Sequence, residues 1–388
     1  RAEILGMTGY SVFPAHLPDF IDEWALSNTE AGWSNGVLYG GYVLAVPVLA
    51  SLTDRLPPKR VYFLSMAISG LACLGFAAIA EGFWTGLALR TLIGIGLAGT
   101  YMPGLKILSD HMEGTAQSRA IAFYTASFSI GAALSFLMAG EINDVSGWRW
   151  AAAVSAAGPL LAMVVTSPFL PRELPIDHVR PDTHLLDFRP VLSCRPAMGY
   201  VWAYAAHNFE LFNLRSWMVA YLVFAAGLMP LGSEMWSATA IATGVTLLGL
   251  PSSVIGNEFS NRFGRNRVIS IIMLASAGVS TVIGFLAGHV PYEVIIACLI
   301  VYGITVTADS ASITSGAVAS APKGYIGATM AVHSCIGFSG AFMGPLVFGI
   351  VLDASAGNPT LAPWGIAFAV TGAVVALGPA ALLWAGRK

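Results

Sequence analysis

Apolar residues run through this chain in blocks of about twenty, broken by short polar connections, rather than in the three-to-four or two-residue alternation of a soluble fold. Runs such as 61–80 and 150–170 each have the length that a helix needs to cross the hydrocarbon layer. The pattern predicts helices over 2–22, 29–52, 61–82, 84–108, 119–140 and 149–169. After a polar stretch it predicts 200–225, 237–257, 268–288, 292–315, 324–350 and 363–385. Helices are required because lipid offers no hydrogen-bond partner to an open backbone, and the runs are too long for barrel strands. The expected fold is therefore an all-α membrane protein with twelve transmembrane helices. They are expected to form an N-terminal six-helix bundle at 1–170 and a C-terminal one at 198–388. A proline- and charge-rich cytoplasmic linker, 171–197, separates them.

Composition agrees. The chain is 56% hydrophobic and 10% charged over 388 residues, where a soluble domain carries about 25% charged residues. A net charge of −2 suggests no nucleic-acid partner. Cys73, Cys194, Cys298 and Cys335 are scattered without metal or disulfide spacing, so no metal or other cofactor is expected. The sequence opens at Arg1, almost directly in an apolar run, so its first span is expected to lack its natural lead-in, and no cleavable signal is seen.

Charge sets the orientation. Alternate connections hold Arg55, Lys59 and Arg60; Arg119; Arg172, Arg180, Arg189 and Arg195; Arg262, Arg265 and Arg267; Lys323; and Arg387 with Lys388. The opposite ones hold mainly acids, among them Asp19, Glu30, Glu81, Glu234, Glu293 and Asp353, and only Arg149 breaks the pattern. The positive-inside rule puts both termini in the cytoplasm, in the inner membrane if the cell has two.

Two cytoplasmic turns half a chain apart share a character. One reads Asp54-Arg55-Leu56-Pro57-Pro58-Lys59-Arg60, the other Asn261-Arg262-Phe263-Gly264-Arg265-Asn266-Arg267. Their acid or amide, arginine, glycine and basic residues resemble the signature loop of the major facilitator superfamily. Asn261 stands where an acid is usual, and Pro57-Pro58 where glycine and arginine are. By that resemblance the two bundles are pseudo-symmetric and surround a central cavity, the protein works as a monomeric secondary transporter by alternating access, and Asp54, Arg55, Arg60, Asn261, Arg262 and Arg265 act in gating. The Gly-Pro motif of the family's antiporters is missing from the fifth span, where Gly131-Ala132-Ala133-Leu134 stands, which argues against a drug antiporter.

Ionisable side chains inside spans cost at least about 2.5 kcal/mol near the bilayer centre, so they mark the transport pathway. The seventh span is the richest, with His207, Glu210, Arg215 and Trp217 among its polar residues. Asp309 and His333, on the tenth and eleventh spans, are expected to meet and carry or gate a proton. Arg90 and Lys106 lie on the fourth span, and Tyr101 and Tyr124 complete the candidate lining. Arg90, Lys106 and Arg215 outweigh Glu210 and Asp309, which leans the cargo towards a small organic or inorganic anion moved with protons. Export of drugs or organic cations, and a non-transporting membrane sensor, remain the alternatives. Nothing resembles a Walker phosphate loop, and His207 with Glu210 alone does not make an enzyme's metal site.

Overall fold

A computed structural model describes residues 2–52, 56–111, 114–168, 187–229, 236–357 and 362–386. Every expected span is present as helix, and there is no strand among the described residues. The first half comprises α1 (Ala2–Gly6), α2 (Val12–Ala15), α3 (Leu17–Glu23), α4 (Asn28–Leu52), α5 (Pro58–Ile79), α6 (Phe83–His111), α7 (Gly114–Ser146) and α8 (Trp148–Thr166). A short α9 (Arg189–Leu192) precedes α10 (Arg195–Gly227), α11 (Ala238–Phe263), α12 (Arg265–Ile283), α13 (Tyr292–Ala308), α14 (Ser310–Ala319), α15 (Ile326–Ser355), α16 (Pro363–Val375) and α17 (Leu377–Gly386).

Three spans expected to be continuous are broken. The first is split into α1, α2 and α3, where Gly9, Pro14 and Pro18 interrupt the helical ladder. The tenth breaks between α13 and α14 at Asp309. The twelfth breaks between α16 and α17 at Ala376, just ahead of Pro379, which has no N–H to give the Val375 carbonyl. Seven helical runs among the described residues are long and apolar enough to cross a bilayer on their own. The α10 helix is not one of them, yet it is buried along nearly its whole length. Its polar residues are tolerable only because other helices cover them.

The helices group into two compact units, Arg1–His16 with Val37–Leu185 and Leu17–Gly36 with Leu186–Lys388. The expected linker falls largely on residues outside the described ones. In the first unit α5 packs on α6 and α8. In the second, α10 is the hub for α14, α15, α16 and α17, around a seam of Ala203, Ala206, Met273, Ala277 and Ile313. The start of α4 belongs to this second unit. Asp353 of α15 accepts from the backbone N–H and side chain of Asn28 at 3.1 and 2.8 Å, and from the N–H and hydroxyl of Thr29 at 2.7 and 2.6 Å. A carboxylate from another helix thus caps the N-terminus of α4.

Close approach recurs at matching places in the two halves. A Cβ on Gly94 of α6 would lie 1.8 Å from the Leu38 carbonyl oxygen of α4, and one on Gly256 of α11 would lie 1.9 Å from the Ala308 carbonyl oxygen of α13. The helices touch at backbone distance in both pairs, where only glycine fits. Gly264, with φ +95°, is the single residue joining α11 to α12, a conformation that suits glycine and accounts for its place in the second signature turn.

Candidate functional site

The centre of α10 gathers the polar residues of the second unit. His207 is fully buried and its Nδ1 lies 2.8 Å from Oδ1 of Asp309. The ring N–H is not aligned with that oxygen as a hydrogen bond would need, so the contact is one of charge and proximity. Asp309 occupies the break between α13 and α14, beside the positive end of the α14 dipole. Tyr204, one turn before His207, lies parallel to two imidazoles: 3.9 Å from the His333 ring and 5.7 Å from the His207 ring, each at 14°. Gly337 leaves room for it, since a Cβ there would sit 2.2 Å from the Tyr204 ring.

The expected pairing is therefore corrected. Asp309 meets His207, and His333 instead stacks on Tyr204 with its Nε2 3.4 Å from the Thr314 hydroxyl. The reason is geometric: a helical wheel assigns faces within one helix, and does not say which neighbouring helix a face will meet. Among the buried polar atoms of the described residues, both ring nitrogens of His207, Nδ1 of His333, Nδ2 of Asn208 and Oδ1 of Asp309 find no hydrogen-bond partner. These atoms cluster around the contact between His207 and Asp309, which makes it the candidate site of the second unit.

Other polar residues of α10 tie helices together. Glu210 accepts from the Ser276 hydroxyl at 2.9 Å, and the Trp217 indole donates to the Pro345 carbonyl at 3.1 Å. Tyr221 donates to the Ile283 carbonyl at 2.5 Å, and Asn213 donates to Thr371 at 2.5 Å. Arg215 is buried with its guanidinium 5.5 Å from the Phe212 ring.

The first unit has its own buried polar set. Arg90 of α6 is 3% exposed, with its guanidinium 4.5 Å over the Phe13 ring. It borders a small cavity lined also by Gly9, Val12, Cys73, Phe76, Ile93 and Ala152. Tyr10 and Tyr39 share a 2.7 Å hydrogen bond. Tyr101 stacks on Tyr124 at 5.6 Å. Tyr124 in turn donates to Glu3, a fully buried carboxylate that the span pattern did not single out because it lies so near the start of the first run. Glu3 is a third buried acid beside Glu210 and Asp309, one that the expected count did not include.

At the turns, Arg265 donates to Asn261 at 3.1 Å, Arg262 lies 5.2 Å from the Phe263 ring, and Tyr200 donates to Asn266 at 2.5 Å. Arg60 opens α5, its backbone N–H bonded to the Pro57 carbonyl. Asp54 and Arg55 lie outside the described residues, as does the side chain of Lys106.

A family model described as Major Facilitator Superfamily matches residues 2–241. Protein spinster homolog 1 of Xenopus laevis is 25% identical over 151 residues, 38% of this chain and 29% of that protein. The Niacin transporter NiaP of Acinetobacter baylyi is 24% identical over 155 residues, 40% of this chain and 35% of that protein. The chain thus matches about a third of the length of these relatives. Over whole chains, the crystal structure of a bacterial homologue of the human lysosomal transporter Spinster superposes with a TM-score of 0.74 at 16% identity, covering 99% of this chain and 93% of that one. The nucleoside transporter NupG gives 0.74 at 15% identity over 100% and 99%. At such identities these structures speak to the fold, which is the twelve-helix one expected.

Proposed function

We propose that this chain, which belongs to the Major Facilitator Superfamily, is a secondary transporter that carries a small organic anion across the bilayer by alternating access, coupled to protons. The observation that carries the reading is Arg90. Its guanidinium is buried within a span, with Phe13 against one face and a small cavity beside it. An ionisable side chain within a span carries an insertion cost of at least about 2.5 kcal/mol near the bilayer centre, and such residues mark the transport pathway. In this reading the guanidinium takes the charge of a carboxylate substrate, and Phe13 and Phe76 form an apolar wall beside it. That NiaP is named for niacin, a ring carboxylate, supports the same class. Proton coupling is assigned to His207 and Asp309, which lie buried and 2.8 Å apart.

The test is uptake of labelled nicotinate and other monocarboxylates into proteoliposomes, with and without an imposed pH gradient. The expected result is gradient-driven accumulation that Arg90→Gln abolishes and Arg90→Lys partly keeps. Movement of organic cations and no anion would replace this reading with cation export, which Glu3, Glu210 and Asp309 would serve. A folded protein that moves neither would be a sensor.

A further inference from the structure

We infer that Glu3 and Tyr124 form a second proton site, built within the first unit from elements other than those that hold His207 and Asp309. Glu3 of α1 is 3% exposed. Its Oε2 lies 2.8 Å from the Tyr124 hydroxyl, and the same hydroxyl lies 3.1 Å from the Thr100 carbonyl oxygen. Oε1 has no hydrogen-bond partner. A phenol has one proton to give.

The proton count decides between two states. With Glu3 charged, both neighbours of the Tyr124 oxygen are acceptors competing for one hydrogen. The buried carboxylate then holds at most a single hydrogen bond, and no ion pair to it is present among the described residues. A buried charge so poorly supported is a costly arrangement. With a proton on Glu3, the same atoms make a directed chain: Glu3 O–H donates to the Tyr124 oxygen, and Tyr124 O–H donates to the Thr100 carbonyl. Losing that proton to water turns the Tyr124 hydrogen back to Oε2 and takes it from Thr100. The geometry fits the neutral acid, and the switch between states is a rotation of one hydroxyl.

The rings carry this state further. Tyr124 stacks on Tyr101 at 5.6 Å, Tyr101 meets Phe128 edge-on at 5.8 Å, and Phe128 meets Tyr10 at 5.6 Å. Tyr10 is hydrogen-bonded to Tyr39, and the two are close enough to act on the Arg90 charge. A proton at Glu3 is thereby placed at one end of an aromatic ladder whose other end borders the proposed anion site. The titratable groups facing Glu3 are Tyr62 from α5 and Tyr124 from α7, with Tyr101 of α6 behind Tyr124, and the charge of the chain's amino terminus also acts on it. The one ionisable side chain of α8, Arg149, donates instead to the Ala77 and Ala80 carbonyls. The side chains of Lys106 and Arg119 lie outside the described ones.

The purpose given to this proton rests on the transporter reading, but its existence does not. Infrared difference spectra of the purified protein, titrated from acid to alkaline pH, read it directly. The expected result is a protonated-carboxyl carbonyl band that is missing in Glu3→Gln, shifted in Tyr124→Phe and kept in Asp309→Asn. An unchanged amide band would certify that each variant is folded, and Tyr124→Phe provides the reading if Glu3→Gln does not fold. Spectra in which neither Glu3→Gln nor Tyr124→Phe alters any carboxyl band would overturn the inference. If the band behaves as expected while no anion is moved in proteoliposomes, the proton site stands and the transport reading falls.

Discussion

At the scale of single residues, His207 and Asp309 are buried with their side chains 2.8 Å apart. Removing one partner of a buried charge pair leaves the other uncompensated, at about 3–5 kcal/mol. Asp309→Ala is therefore expected to lower the thermal stability of the purified protein markedly. Asp309→Asn keeps the shape at the α13–α14 break, and its expected effect is selective: exchange of labelled for unlabelled substrate persists, while accumulation driven by a pH gradient disappears. His207→Gln is expected to behave the same way. Equal losses of exchange and of accumulation in both variants would place the pair in substrate binding instead. Much of this cluster was legible in the sequence, because an ionisable side chain within a span is rarely idle. The pairing was not. Trp217 and Tyr221 share a polar stripe with His207 on the helical wheel, yet they end on the carbonyls of Pro345 and Ile283. A stripe tells which residues need partners, and only the packing tells whether those partners are backbone or each other. Glu3 escaped notice for a different reason: an acid at the edge of an apolar run reads as an interfacial residue, and only its burial reveals otherwise.

At the scale of elements, the twelve apolar runs translate into helices with little loss, while their interruptions do not follow from hydropathy. Asp309 lies inside a run that the pattern reads as one helix, and no proline or glycine marks the break there. The N-terminus of α4 was equally silent. Ser27 and Glu30 make a local cap, with Ser27 N–H donating to Glu30 at 2.9 Å. The carboxylate of Asp353, 324 positions from Thr29, serves the next two backbone donors. A carboxylate at a helix N-terminus, replacing a cap lost to alanine, is worth about 1–2 kcal/mol. Asp353→Ala should lower the melting temperature of the purified protein and speed hydrogen exchange at Asn28 and Thr29. Asp353→Glu, longer by one carbon, should recover only part of it. Exchange at those two amides unchanged by either substitution would show that solvent, rather than Asp353, satisfies them.

At the scale of the whole chain, orientation is the property that the alternation of charges predicts. Arg149 is the one basic residue assigned to the acidic side. Its guanidinium donates to the Ala77 and Ala80 carbonyls at 3.0 and 3.2 Å and lies 4.4 Å from the Trp148 ring. These carbonyls are the unsatisfied acceptors at the C-terminus of α5, where a cation is favoured on either side of a membrane. Arg149 is thus engaged as a cap at the end of α5. Without it the basic residues fall on one side throughout. Single cysteines placed at Asn266, in the first turn of α12, and at Glu293, at the start of α13, read the outcome. In a background in which the four native cysteines are replaced by serine, an impermeant maleimide should label Glu293→Cys in intact cells, and Asn266→Cys only after permeabilisation. The reverse pattern would invert every span, moving both signature turns and the termini to the outer face. It would also reverse the direction in which a proton gradient could drive the proposed anion.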